Sequence, residues 1–180
     1  VIDEQLHWRY GDGHVALVGD FVDRGEDMTP LLWLVYRLED EALQAGGRVH
    51  YVLGNHEQLA MSGKKKYWPR RLIATAEALG EDGDELLFSD NSVLGAWLRS
   101  KPVMVRLGDH LLVHGGISQA FLAENLDIEA TNELARGYLS HELEGLPPRL
   151  EPILGRNGLT WYRGMAMPGD KKYVLEADPL

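Results

Sequence analysis

Three short apolar runs, each halted by a glycine or histidine and followed by polar residues, constrain this chain most. Val15-Ala16-Leu17-Val18 leads into Gly19-Asp20-Phe21-Val22-Asp23-Arg24-Gly25, Val49-His50-Tyr51-Val52-Leu53 into Gly54-Asn55-His56-Glu57, and Leu111-Leu112-Val113 into His114-Gly115-Gly116. The runs have strand character. They deliver a carboxylate, an amide oxygen and an imidazole to the C-terminal edge of a sheet, where open α/β folds collect their chemistry. That juxtaposition predicts a metal site.

The segments between the runs set the architecture. Thr29 is expected to cap a helix, with Pro30 in its first turn, Leu31, Leu34, Val35, Leu38 and Ala42 as its inward stripe and Gly46 as its stop. Strand, helix and strand then form a βαβ unit with a parallel pair. Glu57 to about Leu98 reads as mainly helical, its Leu and Trp positions suited to core packing. Pro102 to Arg106 and His110 to Val113, joined through Leu107-Gly108-Asp109, predict a β-hairpin. Glu124 to Glu144 reads as a charged helix, broken by Leu146-Pro147-Pro148. Asp12-Gly13-His14 reads as a Gly-rich turn or loop. His7, His50, His110 and His141 are expected to be structural or solvated.

Asp20 offers two hard oxygens, Asn55 a neutral carbonyl oxygen and His114 a ring nitrogen, a mixture suited to Mn²⁺, Fe or Zn²⁺ rather than Ca²⁺. Only the carboxylate could bridge two cations. A paired-metal site generates a hydroxide nucleophile near neutral pH and clamps an in-line displacement, which makes phosphate ester hydrolysis its natural reaction. Arg24 adds a planar fork that matches phosphate oxygens. His56, beside Asn55, is placed to protonate a leaving alkoxide, and Asp23 to hold that imidazole in the right tautomer. Singly, each residue has a plainer reading: Asp20 and Asp23 as turn formers, Asn55 as a tight-turn residue, His114 as a hydrogen-bonded loop histidine. Three strand ends with ligand chemistry favour the site.

These motifs resemble those of the calcineurin-like metallophosphoesterases, specifically the phosphoprotein phosphatase branch, and Trp161-Tyr162-Arg163-Gly164 resembles the bacterial and plant Shewanella-like phosphatases. The resemblance spans most of the chain. It implies an α/β two-sheet sandwich flanked by helices, with a helical cap at about 57–100. It also implies two divalent metal ions, Mn²⁺ foremost with Fe or Zn²⁺ as alternatives. Asp20 would bridge them, Asn55 and His114 would bind the second, His56 would act as acid with Asp23 behind it, and Arg24 and Arg163 would grip phosphate. The family's opening Asp-x-His strand and closing Gly-His motif do not occur, so the chain is expected to be an internal piece of one catalytic domain, residues 1–180, lacking its first strand and C-terminal strands. The implied substrate is a phosphorylated protein, on Ser/Thr or Tyr, or a small phosphomonoester, attacked by metal-bound hydroxide. The alternatives are a diadenosine tetraphosphate hydrolase-like nucleotide phosphoesterase, which shares the first two motifs, and a non-catalytic phosphate- or metal-binding protein.

Composition narrows the partners. Eighteen basic residues against 28 acidic leave a net charge of −10, which argues against nucleic acid and anionic membrane as partners. Lys64-Lys65-Lys66 is the only basic run, readable as a solvated helix end or loop, or as a face toward an anionic substrate. The absence of cysteine excludes disulfides and thiolate metal sites. No apolar run is long enough for a membrane span. A soluble protein of the cytoplasm or periplasm is expected, its oligomeric state left open.

Overall fold

A computed structural model describes residues 1–80, 83–140 and 145–167. Its first two strands, β1 (His14–Val18) and β2 (Arg48–Val52), pair in parallel with His14 opposite Arg48 and Val18 opposite Val52, and α1 (Met28–Gln44) connects them. The predicted βαβ unit is therefore present. Its details differ in two places. The turn before β1 ends earlier than expected, so His14 belongs to the strand, and its Nδ1 lies 3.0 Å from His50 Nε2. Helix α1 starts before Thr29, because the Asp27 carbonyl already accepts from Leu31 N–H at 3.0 Å. The buried stripe is Met28, Leu32, Val35, Leu38 and Ala42 with Leu34 partly buried beside it, so of the expected inward residues only Leu31, 38% exposed, departs. Gly46, at φ +84°, ends the helix as its sequence position predicts.

Four helices follow: α2 (Asn55–Met61), α3 (Arg70–Leu79), α4 (Gly83–Phe88) and α5 (Val93–Arg99). They fill the stretch read as helical. The hairpin β3 (Met104–Leu107) and β4 (His110–Val113) is antiparallel and turns at Gly108-Asp109, as expected. One contact seats it against the first unit and another against a later helix. Leu53 N–H donates to Pro102 O at 2.9 Å, and the buried Asn132 side chain bonds the backbone of Val103 and Met104 on both its donor and acceptor sides. Asn132 lies on α7 (Ile128–Leu139), which α6 (Gln119–Ala123) precedes. The helix expected from Glu124 thus starts later, at Ile128, with the separate short helix α6 before it. Asn125 takes φ +49°, and the Asp127 carboxylate accepts from Ala130 N–H at 2.7 Å, capping a new helix. His141 lies outside the described residues. A 3₁₀ turn, Pro148–Leu150, runs into α8 (Glu151–Leu154).

One apolar core joins these parts. The inward side of α1 packs with Val49 and Tyr51 of β2, and Trp97, Leu98, Val103, Leu139 and Ile153 continue the same cluster. Among the described residues no helix is long and apolar enough to cross a membrane.

Candidate active site

The chain leaves β1 through Gly19 at φ +79°, and a Cβ there would lie 2.5 Å from Gly54 N and 2.8 Å from His114 Nδ1. Only glycine lets the three strand ends approach so closely. Beyond it, Asp20, Asp23 and Arg24 all adopt positive φ, at 62°, 68° and 63°. Each such non-glycine residue costs roughly 1–3 kcal/mol and persists only where its surroundings over-determine it.

Glu57 provides much of that restraint. Its side chain is wholly buried, and its two oxygens accept from Asp20 N–H (2.9 Å), Phe21 N–H (2.7 Å), Gly54 N–H (2.7 Å) and Tyr51 O–H (2.9 Å). One carboxylate therefore ties the loop after β1 to the start of α2. Burial, then the neighbouring Glu57 charge, pushes the Tyr51 phenol well above its ordinary range, so Tyr51 stays a donor.

Asp20, Asn55 and His114 converge as predicted. His114 Nδ1 lies 2.6 Å from Val18 O, and since a carbonyl only accepts, this nitrogen carries the proton and Nε2 faces the cluster. Nε2 is 3.3 Å from Asp20 Oδ2, and Asp20 Oδ1 accepts from His56 N–H at 3.1 Å. The Arg163 guanidinium completes the group, with Nη2 3.1 Å from Asn55 Oδ1 and 3.2 Å from His114 Nε2. Burial opposes the Asp20 charge, but hydrogen bonds from His114 and the His56 amide hold its carboxyl below the usual range. Burial likewise opposes the His114 charge, yet Asp20 and the Val18 carbonyl hold its imidazole above its ordinary value. The guanidinium thus brings a fixed positive charge to a cluster of acceptors. Such acceptors, two oxygens and one ring nitrogen, fit a divalent cation. Among the described residues no three histidines or carboxylates gather, so the amide Asn55 is needed to complete the set.

Beside this cluster stands a second. His56 Nδ1 lies 2.6 Å from Asp23 Oδ2, both side chains buried, and His56 Nε2 is 3.3 Å from Arg24 Nη2. Burial pushes the Asp23 carboxyl up, despite the hydrogen bond to His56, and its Oδ1 has no hydrogen-bond partner among the described residues. The carboxylate orients the ring so that Nε2 faces outward beside Arg24. Tyr67 closes this side. Its carbonyl accepts from Arg24 N–H at 2.8 Å, and its ring centroid is 5.1 Å from that of His56 and 5.2 Å from Arg24 Cζ.

All seven residues singled out in the sequence come together here. Three more were not assigned roles: Glu57, Gln58 and Tyr67. Gln58 Oε1 accepts from Thr160 Oγ1 (3.1 Å) and Trp161 Nε1 (3.2 Å), and Gly115 N–H donates to Leu159 O at 2.6 Å, which seats the Trp161-Tyr162-Arg163 run. Glu57 carried a signal, the third position of a helix after its cap, where an acid reaches back to the cap amide. The partners of Gln58 and Tyr67 are too distant along the chain to leave one.

A family model described as calcineurin-like phosphoesterase matches residues 5–163. The chain is 25% identical to Shewanella-like protein phosphatase 2 of Arabidopsis thaliana, covering 91% of the chain and 51% of that protein. It is 30% identical to a symmetrical bis(5'-nucleosyl)-tetraphosphatase of Neisseria meningitidis, covering 96% and 56%. Among solved structures, a cold-active protein-tyrosine phosphatase of a psychrophilic Shewanella superimposes with a TM-score of 0.87 at 33% identity, covering 93% of this chain and 51% of that one. The chain spans about half the length of the curated relatives it matches.

Proposed function

The chain belongs to the calcineurin-like phosphoesterase family, and on that premise we propose that it is the metal- and phosphate-binding part of a phosphatase acting on phosphate monoesters, phosphoproteins foremost. The observation that supports this reading best is the convergence of Asp20, Asn55 and His114 into one cluster, directly beside the Asp23-His56-Arg24 group. Residues 1–180 read as part of one catalytic domain, with about 57–100 as its helical cap.

The family uses a dinuclear metal centre. In this reading Asp20, Asn55 and His114 would hold the metal, Asp20 being the residue able to serve both ions, and Mn²⁺ is the first choice, with Fe or Zn²⁺ as alternatives. Bound cations would polarise the phosphoryl oxygens and supply an activated nucleophile. Arg24 and Arg163 orient the phosphate, the forked geometry of each matching two of its oxygens. His56 Nε2 gives its proton to the leaving oxygen, and Asp23 holds the ring for that transfer.

The test is leaving-group dependence in the full-length protein. His56→Asn should lower kcat by about 10²–10⁴-fold, leave bound metal unchanged, and cost less on p-nitrophenyl phosphate than on phenyl phosphate. Equal losses on both substrates would remove His56 as the acid. No Mn²⁺-dependent turnover by the wild type would favour a non-catalytic binder. The 30% identity to a tetraphosphatase supports a second reading, a nucleotide phosphoesterase, which faster turnover of dinucleoside tetraphosphate than of phosphopeptides would establish.

A further inference from the structure

The basic run gains a meaning from its position. Lys64-Lys65-Lys66-Tyr67-Trp68-Pro69-Arg70-Arg71 gathers five basic residues into eight positions of a chain whose net charge is −10. All five are exposed, whereas Trp68 and Pro69 are buried and pin the segment to the body. Tyr67, at its centre, is the residue that touches both Arg24 and His56. Lys66 Nζ stands 5.0 Å from the same Tyr67 ring centroid, so the Lys66 and Arg24 charges lie within about 10 Å of each other. Lys65 Nζ lies 6.0 Å from the Trp68 ring.

Two cations sharing one ring repel each other, and the ring's cation–π attraction offsets only part of that cost. An anion near each relieves it. In the phosphatase reading, on which this inference rests, the substrate phosphate meets Arg24, leaving the lysines facing a second anion. An extended peptide advances about 3.3 Å per residue, so a side chain one to three residues from the phosphorylated one spans the interval. The Arg71 end of the segment, held by acidic side chains, is the less favourable place for an anion. Glu26 and Asp27 line the cleft beside Asp20 and Asp23, and they already engage Arg71, through Asp27 Oδ1 at 2.8 Å and its amide N–H at 3.2 Å from Glu26 Oε2.

We propose that Lys64–Arg71 is a specificity strap that selects phosphopeptides carrying a second anionic side chain within about three residues of the phosphorylated one. A lone phosphomonoester reaches Arg24 but not the lysines. On an acidic protein the strap also steers such a substrate to the site, an effect that salt screens.

The experiment compares matched phosphopeptides, flanked by Asp/Glu or by Ala/Ser, on the full-length Mn²⁺-loaded protein, measuring both kcat/KM and binding by fluorescence anisotropy. Wild type should prefer the acidic flank about tenfold, mostly in KM, and the preference should fall as salt rises. Lys64→Ser/Lys66→Ser should bring the ratio of acidic to neutral flank close to one, whatever happens to absolute rates. A wild-type ratio near one, or a ratio unchanged in the double variant, overturns the strap. So does tighter binding of dinucleoside tetraphosphate with both peptides bound alike. Selective binding of the acidic peptide without turnover of any substrate would support the strap while refuting the phosphatase reading.

Discussion

Glu57 shows how much a single buried carboxylate organises at the residue scale. Its four donors come from β2, the loop after β1 and the start of α2, so it holds Asp20 at positive φ without touching substrate. In Glu57→Gln an amide nitrogen replaces one oxygen and faces donors, leaving buried N–H or O–H groups unpaired at about 1–3 kcal/mol each. We expect the variant to lose roughly 3 kcal/mol in urea unfolding and 10–100-fold in Mn²⁺ affinity. Isothermal titration and denaturation together check both. Native stability with weakened metal binding would mean that Glu57 acts by charge and not by holding the loop.

At the scale of elements, the N-terminal arm, residues 1–9, is clamped to α1 by Glu41 and by Arg37, whose Nη2 donates to Leu6 O at 2.8 Å. Glu41 accepts from Trp8 N–H at 2.8 Å, and His7 Nδ1 and Arg37 Nε lie 2.8 and 3.3 Å from its Oε1. The Trp8 amide foremost, then His7, holds the Glu41 carboxyl below the ordinary glutamate value. A carboxyl depressed in the folded state stabilises above its unfolded pKa, and that contribution is lost as pH falls through the folded value. The Trp8 amide should therefore lose hydrogen-exchange protection as pH falls below the ordinary glutamate range, before the core opens. In Glu41→Gln, which still accepts but does not titrate, this step should vanish. Its persistence would assign the release to Asp3, whose carboxylate also binds the arm.

Arg99 acts at the scale of the whole molecule. It is 9% exposed, and no carboxylate bonds it among the described residues. Its guanidinium donates instead to Leu139 O (2.8 Å), Phe88 O (2.5 Å) and Met61 O (3.1 Å), the last residues of α7, α4 and α2. Helix C-termini present unpaired carbonyls and partial negative charge, so one cation caps three helices at once. Burial, its largest effect here, lowers the Arg99 pKa. Arg99→Met should cost about 3 kcal/mol or more, because several carbonyls lose their donor together. Thermal unfolding measures it, and Arg99→Lys, which keeps the charge without the fork, should fall between. A wild-type melting temperature in Arg99→Met would show that water or neighbouring backbone satisfies these carbonyls.

Local pattern determined a good part of this protein: the parallel pair, the hairpin at Gly108-Asp109, the stop at Gly46, and the seven site residues that the fold brings together. Periodicity, turn chemistry and glycine placement act over a few residues, and a strand's C-terminal end is legible from where its apolar run stops. The α1 start, the later start of α7, and the roles of Glu57, Arg99 and Tyr67 were decided by tertiary structure. Arg99 reads in sequence as an ordinary basic residue at a helix end, and only packing shows three other helix ends arriving there. The basic run at Lys64 likewise has one composition whether it faces solvent or a phosphate. Its position beside Arg24 depends on contacts some forty residues apart, where burial and hydrogen-bond satisfaction, not local propensity, select the arrangement.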